Sequence, residues 1–397
     1  VAQKSGLSCF FENSETKGSK KSAFLHLFSA SGRANSFFFV LSRKEKTKIL
    51  ISHYFSDMKP QTNAFRVDQA NILLIFVSLL VAYYLPFALF LFSYAVLGSL
   101  HYLTEIFWLE KRNFFVAKKI EILPLVLLTI LLSAAYLLSK NLFLLDYFNI
   151  KIETVYPCLV FLFRHTLFVA FGWALIAVAI HKRKSRLVAV GALLLLGYWA
   201  ADSNWYLLIF SWLLPTLIHV YLFTLIFMIV GAARSRSIWG VVAVWVFVLG
   251  SILLVVIETD TSLTLTETGK EAYFSTDFKS LGLILENISL YFFSFFSGLE
   301  NESVFSDLGF QRLIAFAYTY HYLNWFSKVE IIAWHRISTK QGVTIAIIWS
   351  LSLALYYYDL KIGMMALYFL SLLHVVLEFP LNVRSFEESY KLLKIGK

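Results

Sequence analysis

Cysteine is almost absent from this 397-residue chain, which holds only Cys9 and Cys158. Two cysteines so far apart exclude a disulfide framework and a thiolate metal site, so any bound metal must be held by histidine and carboxylate. Charge is scarce as well: 15% of the residues are Asp, Glu, Lys or Arg, against 59% hydrophobic and 18% aromatic. With a mean hydropathy of +0.70, this balance excludes an ordinary soluble domain and implies an all-α, polytopic membrane protein surrounded by lipid bilayer. A net charge of +10 would suit nucleic acid in a soluble protein. Here the basic residues fall in short clusters between apolar runs, where they set topology, so no nucleic-acid partner is expected. Cys-x-x-Cys and His-Glu-x-x-His runs are missing, and so are the clustered His-x-x-His-His boxes of membrane desaturases and hydroxylases.

What is present begins with a polar leader, residues 1–57, rich in Ser, Lys and Asn, whose Phe clusters are too brief to span a bilayer. Met58 precedes the first long apolar run. The leader is therefore expected to be disordered or not native, with translation starting at Met58; a targeting peptide is the competing reading. Residues 58–397 form a single transmembrane domain in this reading. Runs long enough to cross, or nearly so, lie at 71–84, 87–109, 120–138, 154–180, 187–201, 204–233, 238–257, 311–327, 342–358 and 363–381, giving nine or ten spans. Pro86 and the turn Asp202-Ser203-Asn204 separate neighbouring runs.

Alternate loops are basic. Lys111, Arg112, Lys118 and Lys119 follow the second run, Lys182, Arg183, Lys184 and Arg186 the fourth, Arg234 and Arg236 the sixth, and Lys328, Arg336 and Lys340 the eighth. That pattern predicts both termini in the cytoplasm, in a multi-pass protein expected in a bacterial inner membrane. The other loops are neutral or acidic, the longest being an outer loop over 258–310. Within it, "LGLILENISLYFFSFF" is apolar enough to lie along the interface or re-enter the membrane, as a lid or as a loop resting on lipid.

Ionisable residues inside spans are costly and tend to pair, bind ions or do chemistry. They are His101 with Glu105, Arg164 with His165, His219, His321, and His374 with Glu378, with His335 apart at the inner surface. His101, His321 and His374 lie six to eight residues from the cytoplasmic ends of their runs, about 9 to 12 Å deep at the helical rise. His219 joins that layer if its long span shifts by a turn or two. Residues four apart share a helix face, so each His-x-x-x-Glu pair offers two ligands, or a ligand and the carboxylate that orients it. Imidazoles with carboxylate support suit Fe(II), Zn or Cu, with redox-capable iron preferred. His101, His219, His321 and His374 are the expected metal ligands, with His165 and Arg164 as possible additions. Glu105, Glu378, Tyr320 and Asn324 are the expected catalytic partners, Asn324 because it follows His321 by one turn. Arg164 needs an anion, for which Glu105 or Glu378 is the favoured source. Interhelical hydrogen bonding alone is the competing account of a lone histidine such as His165 or His219.

The stretches "HYLTEIFWLEKRNFF", "YTYHYLNWF" and "LLHVVLEFPLN" resemble the Brp/Blh-like beta-carotene 15,15'-dioxygenase family. In that family a helix bundle holds non-haem iron by histidines and splits a carotenoid at its central double bond with O2. The resemblance implies that His101, His321, His374 and His219 are iron ligands, and that the chain is an oxygenase acting on a hydrophobic small molecule or lipid. Two other readings stay open. One is a transporter or channel relaying protons through His and Glu, although no internal repeat supports it; the other is a haem protein using two histidines.

Overall fold

The structure is a computed structural model that describes residues 64–140, 147, 151–257, 266–275, 278–297, 306–328 and 337–395. The leader and His335 lie outside the described residues. The described elements are all helical: α1 (Ala64–Tyr84), α2 (Pro86–Lys111), α3 (Leu123–Lys140), α4 (Ile152–Ala179), α5 (Arg183–Ala200), α6 (Asn204–Ser235), α7 (Ile238–Val256), α8 (Glu267–Ser275), α9 (Phe278–Ser297), α10 (Asp307–Ser327), α11 (Thr339–Tyr358) and α12 (Leu360–Ile395).

Eight of these helices are long and apolar enough to cross a membrane, two short of the upper expectation. The two that fall short are α5 and α10, for different reasons. α5 spends its first turn on Arg183, Lys184 and Arg186, which leaves about 14 apolar residues, or roughly 21 Å of helix. α10 is too polar because it is not a lipid-facing element. Gln311, Arg312, Thr319, His321 and Asn324 are all buried on it, shielded by α1, α2 and α7, which pack around it. In hydrocarbon such residues persist only where they face protein.

Arg312 shows how that central helix is anchored. It is fully buried and donates from Nε to the Tyr83 carbonyl at 3.2 Å and from Nη1 to the Ile257 carbonyl at 3.0 Å. One guanidinium thus satisfies carbonyls at the C-terminal ends of α1 and α7, which no helical N–H reaches. Ser306 caps the start of α10 by accepting from the Gly309 N–H at 3.0 Å.

The expected outer loop also differs from expectation, because its described part folds into α8 and α9. Phe278 at the head of α9 packs against Phe87, Phe90 and Tyr318, so this end of the stretch rests on the bundle. By contrast, α5 and α11 leave Leu195, Trp199, Leu351 and Tyr357 exposed, as expected of surfaces wetted by lipid.

Two apolar cores result. One joins α1, α2, α6, α7, α8, α9 and α10; the other joins α2, α3, α4, α6 and α12. The polar residues that matter sit on the seam between them.

A buried four-histidine cluster

Each imidazole arrives on a different helix. His101 comes from α2 just after a π-helical segment, Ser93–Gly98. His219 comes from α6 within a second π-helical run, Leu208–Phe223, that contains Pro215. A π-helix winds more residues into each turn than an α-helix does and recurs at functional sites. His219, far from the end of its span by residue count, still meets the rings of His321 and His374. His321 is supplied by α10 and His374 by α12.

Neighbouring ring centroids lie 4.8 Å apart for His101–His321, 5.1 Å for His321–His219, 4.9 Å for His219–His374 and 5.3 Å for His374–His101. The four rings close a quadrilateral. Nε2 of His101 is 3.1 Å from Nε2 of His321, and Nε2 of His219 is 3.1 Å from Nε2 of His374. His101, His321 and His374 present nitrogens that all lie within 4.8 Å of one another. His101, His219 and His374 are at most 2% exposed, and His321 is 7% exposed.

Carboxylates flank the ring set on the side where Lys111, Arg234 and Lys328 lie. Glu105 Oε2 is 3.1 Å from His101 Nε2, the expected same-helix pair. Glu378 does otherwise: its Oε2 lies 3.2 Å from Nδ1 of His219 on α6, so it supports a ring across the interface and not His374 on its own helix. Both contacts are close without the geometry of a formed hydrogen bond, and Glu105 Oε2, Glu378 Oε2 and His219 Nδ1 have no other partner. Thr224 Oγ1 is 2.7 Å from His321 Nδ1. If that nitrogen carries the proton, Nε2 is left with its lone pair directed at the other rings.

Other expected residues are elsewhere. Arg164 does not pair with Glu105 or Glu378; its Nη1 is 3.4 Å from the Ala201 carbonyl and 3.8 Å from the exposed Asp202. His165 pairs with the Tyr206 hydroxyl at 2.8 Å, within the α4–α6 contact. Both fall away from the cluster because they sit at the far half of α4, beside the α5–α6 turn. Tyr320 stacks on Phe316 and packs on Phe247, its hydroxyl unpartnered; one residue before His321, it points about 100° away around the helix. Asn324 is buried, but among the described residues no hydrogen bond joins it to the imidazoles.

Several participants escaped sequence reasoning. Thr224 and Tyr102 are ordinary residues in apolar runs and carry no signal of their own. Asn382 did carry one: it follows Glu378 by four residues, extending the His374–Glu378 face by another turn. It is 1% exposed, and its amide faces Glu378.

Comparison of the chain with protein-family profiles, with curated proteins and with solved structures gives no match.

Proposed function

We propose that the chain is a membrane-embedded metalloenzyme whose His101, His219, His321 and His374 hold one Fe(II) ion for oxygenase chemistry on a lipid-soluble substrate. The supporting observation is the spacing of the rings. For an ion bound at about 2.1 Å, ring centroids would stand about 3.2 Å from it, and neighbouring centroids about 4.5 Å apart in a square arrangement or 5.2 Å in a tetrahedral one. The four measured separations run from 4.8 to 5.3 Å. At the same bond length, the 3.1 Å Nε2 pairs subtend an angle of about 95° at the ion. Such an angle belongs to adjacent positions of a six-coordinate ion, which leaves places for O2 or substrate. Haem fits less well, because two axial nitrogens on one iron stand about 4 Å apart.

Charge supports the same reading. Neutral imidazoles bring no charge, and a divalent cation in hydrocarbon needs compensation; Glu105 and Glu378 supply two negative charges. Thr224 holds the His321 ring and Glu378 stands beside that of His219, where the partners of metal-bound histidines sit. The ion would supply the site for activating O2, and the chain would supply geometry and a dry surrounding. Carotenoid cleavage is one reaction of this class.

Elemental analysis of detergent-purified protein tests the reading. Stoichiometric iron, zinc or copper is expected, with iron supporting the oxygenase assignment, and His321→Ala should lose it. A preparation without such metal, unaffected by that substitution, would end the proposal. Turnover of a lipid-soluble compound, with O2 consumed and no ion flux into proteoliposomes, separates the enzyme from a proton-coupled transporter.

A further inference from the structure

The aromatic neighbours of the imidazoles are not equivalent. Most meet them tilted or edge-on, as Tyr322 and Trp325 do with His101. Tyr102 alone among the described residues stacks flat on one, its ring 4.1 Å from that of His374 and 22° from parallel. Its hydroxyl oxygen is 2.7 Å from the hydroxyl of Tyr322, and Ser371 and Tyr94 continue the hydroxyl cluster. Gly98, one turn before Tyr102, keeps this space open; a Cβ there would stand 2.8 Å from the Tyr102 oxygen and 2.9 Å from that of Tyr322.

From this arrangement we infer that Tyr102 is a redox-active residue of the histidine centre, giving one electron through the stacked His374 ring when an O–O bond is reduced there. The inference rests on the metal reading above. Its phenolic proton leaves by way of the neighbouring hydroxyls, so the oxidised ring stays neutral. That matters in a dry interior, where a net charge without a partner is costly. With hydrogen peroxide as oxidant the step balances as follows. The O–O bond breaks; one electron comes from Fe(II), giving Fe(III), and one from the Tyr102 phenol, giving a neutral phenoxyl radical. The phenolic proton and one further proton from solvent complete two water molecules.

Three facts favour Tyr102 over the other tyrosines. It touches a proposed ligand face to face, its hydroxyl has a proton-accepting neighbour, and it is only 1% exposed, which protects a radical from quenching. Tyr320 has the burial but neither contact.

The test uses the full chain in detergent, loaded anaerobically with Fe(II), its iron content measured, then mixed with one equivalent of hydrogen peroxide and frozen for electron paramagnetic resonance. A tyrosyl signal is expected, narrowed when the protein carries ring-deuterated tyrosine. Tyr102→Phe preserves the stacking and should cut the radical yield at least tenfold with iron content unchanged, while Tyr320→Phe should leave it intact. In Tyr322→Phe the radical should form with altered hyperfine structure and a shorter lifetime, since its hydrogen bond is gone; a purely structural role would not move that spectrum. Iron-loaded protein with no tyrosyl signal, or with a signal indifferent to Tyr102→Phe, overturns the inference alone. Protein that binds no iron overturns the metal reading and this inference together, and the elemental measurement tells the two failures apart.

Discussion

Glu378→Gln is the most informative perturbation of the centre, because it removes a charge and almost nothing else. Glu378 Oε2 lies 3.2 Å from His219 Nδ1. Adding the width of the imidazole and the bond from Nε2 to an ion puts the carboxylate about 6.5 Å from the metal. At that distance a dication and a carboxylate attract by about 5 kcal/mol at an effective dielectric constant of 20. The amide keeps a dipole beside His219, and the surroundings relax, so only part of this attraction is lost. Loss of a partner of this kind typically weakens metal binding 10- to 100-fold, equivalent to about 1.4–2.8 kcal/mol, and that is the expected outcome for the single variant. Glu105→Gln/Glu378→Gln removes both carboxylates that flank the rings and should retain no stoichiometric metal. The metal-free protein should respond in the opposite direction. Two carboxylates buried without counter-ions are unfavourable, so the double variant should melt higher than wild type when both are stripped of metal. Competition against chelators of graded affinity measures the first effect, and tryptophan fluorescence on heating measures the second. Metal affinity of Glu378→Gln within twofold of wild type, or a metal-free double variant that melts lower, would refute this account of charge balance.

Thr224→Val keeps the shape of the side chain but removes the oxygen 2.7 Å from His321 Nδ1; metal affinity should fall about tenfold with the fold retained, as chelator competition and circular dichroism would show. Gly98→Ala pushes a methyl group into the Tyr102–Tyr322 hydroxyl pair and should destabilise by about 1–3 kcal/mol, read as a lower midpoint in thermal unfolding. Arg312→Leu leaves the Tyr83 and Ile257 carbonyls without the charged donor they now share. The expected loss is about 3–6 kcal/mol for two hydrogen bonds to a charged group, visible as aggregation on fluorescence-detected size exclusion.

The sequence alone determined that this chain is built of apolar helices, because length and composition leave hydrocarbon-spanning elements no alternative. It also marked His101, His219, His321 and His374, since an ionisable group in an apolar run stands out whatever its neighbours are. Periodicity reached one step further and paired His101 with Glu105 on a single helix face. It misled for Glu378, because a side chain's own helix says which way it points but not which helix it meets: Glu378 turns to His219 on α6. For Arg164 the misjudgement was one of depth, its partners being at the α5–α6 turn. Only the tertiary structure decided that α10 is a protein-facing core helix, that π-helical winding surrounds His219, and that Tyr102 and not Tyr320 borders an imidazole. These depend on contacts between residues far apart in the chain, such as Tyr102 with Tyr322 and His219 with His374. Local spacing fixes the directions of side chains on one helix; the convergence of four rings is set by how four helices pack.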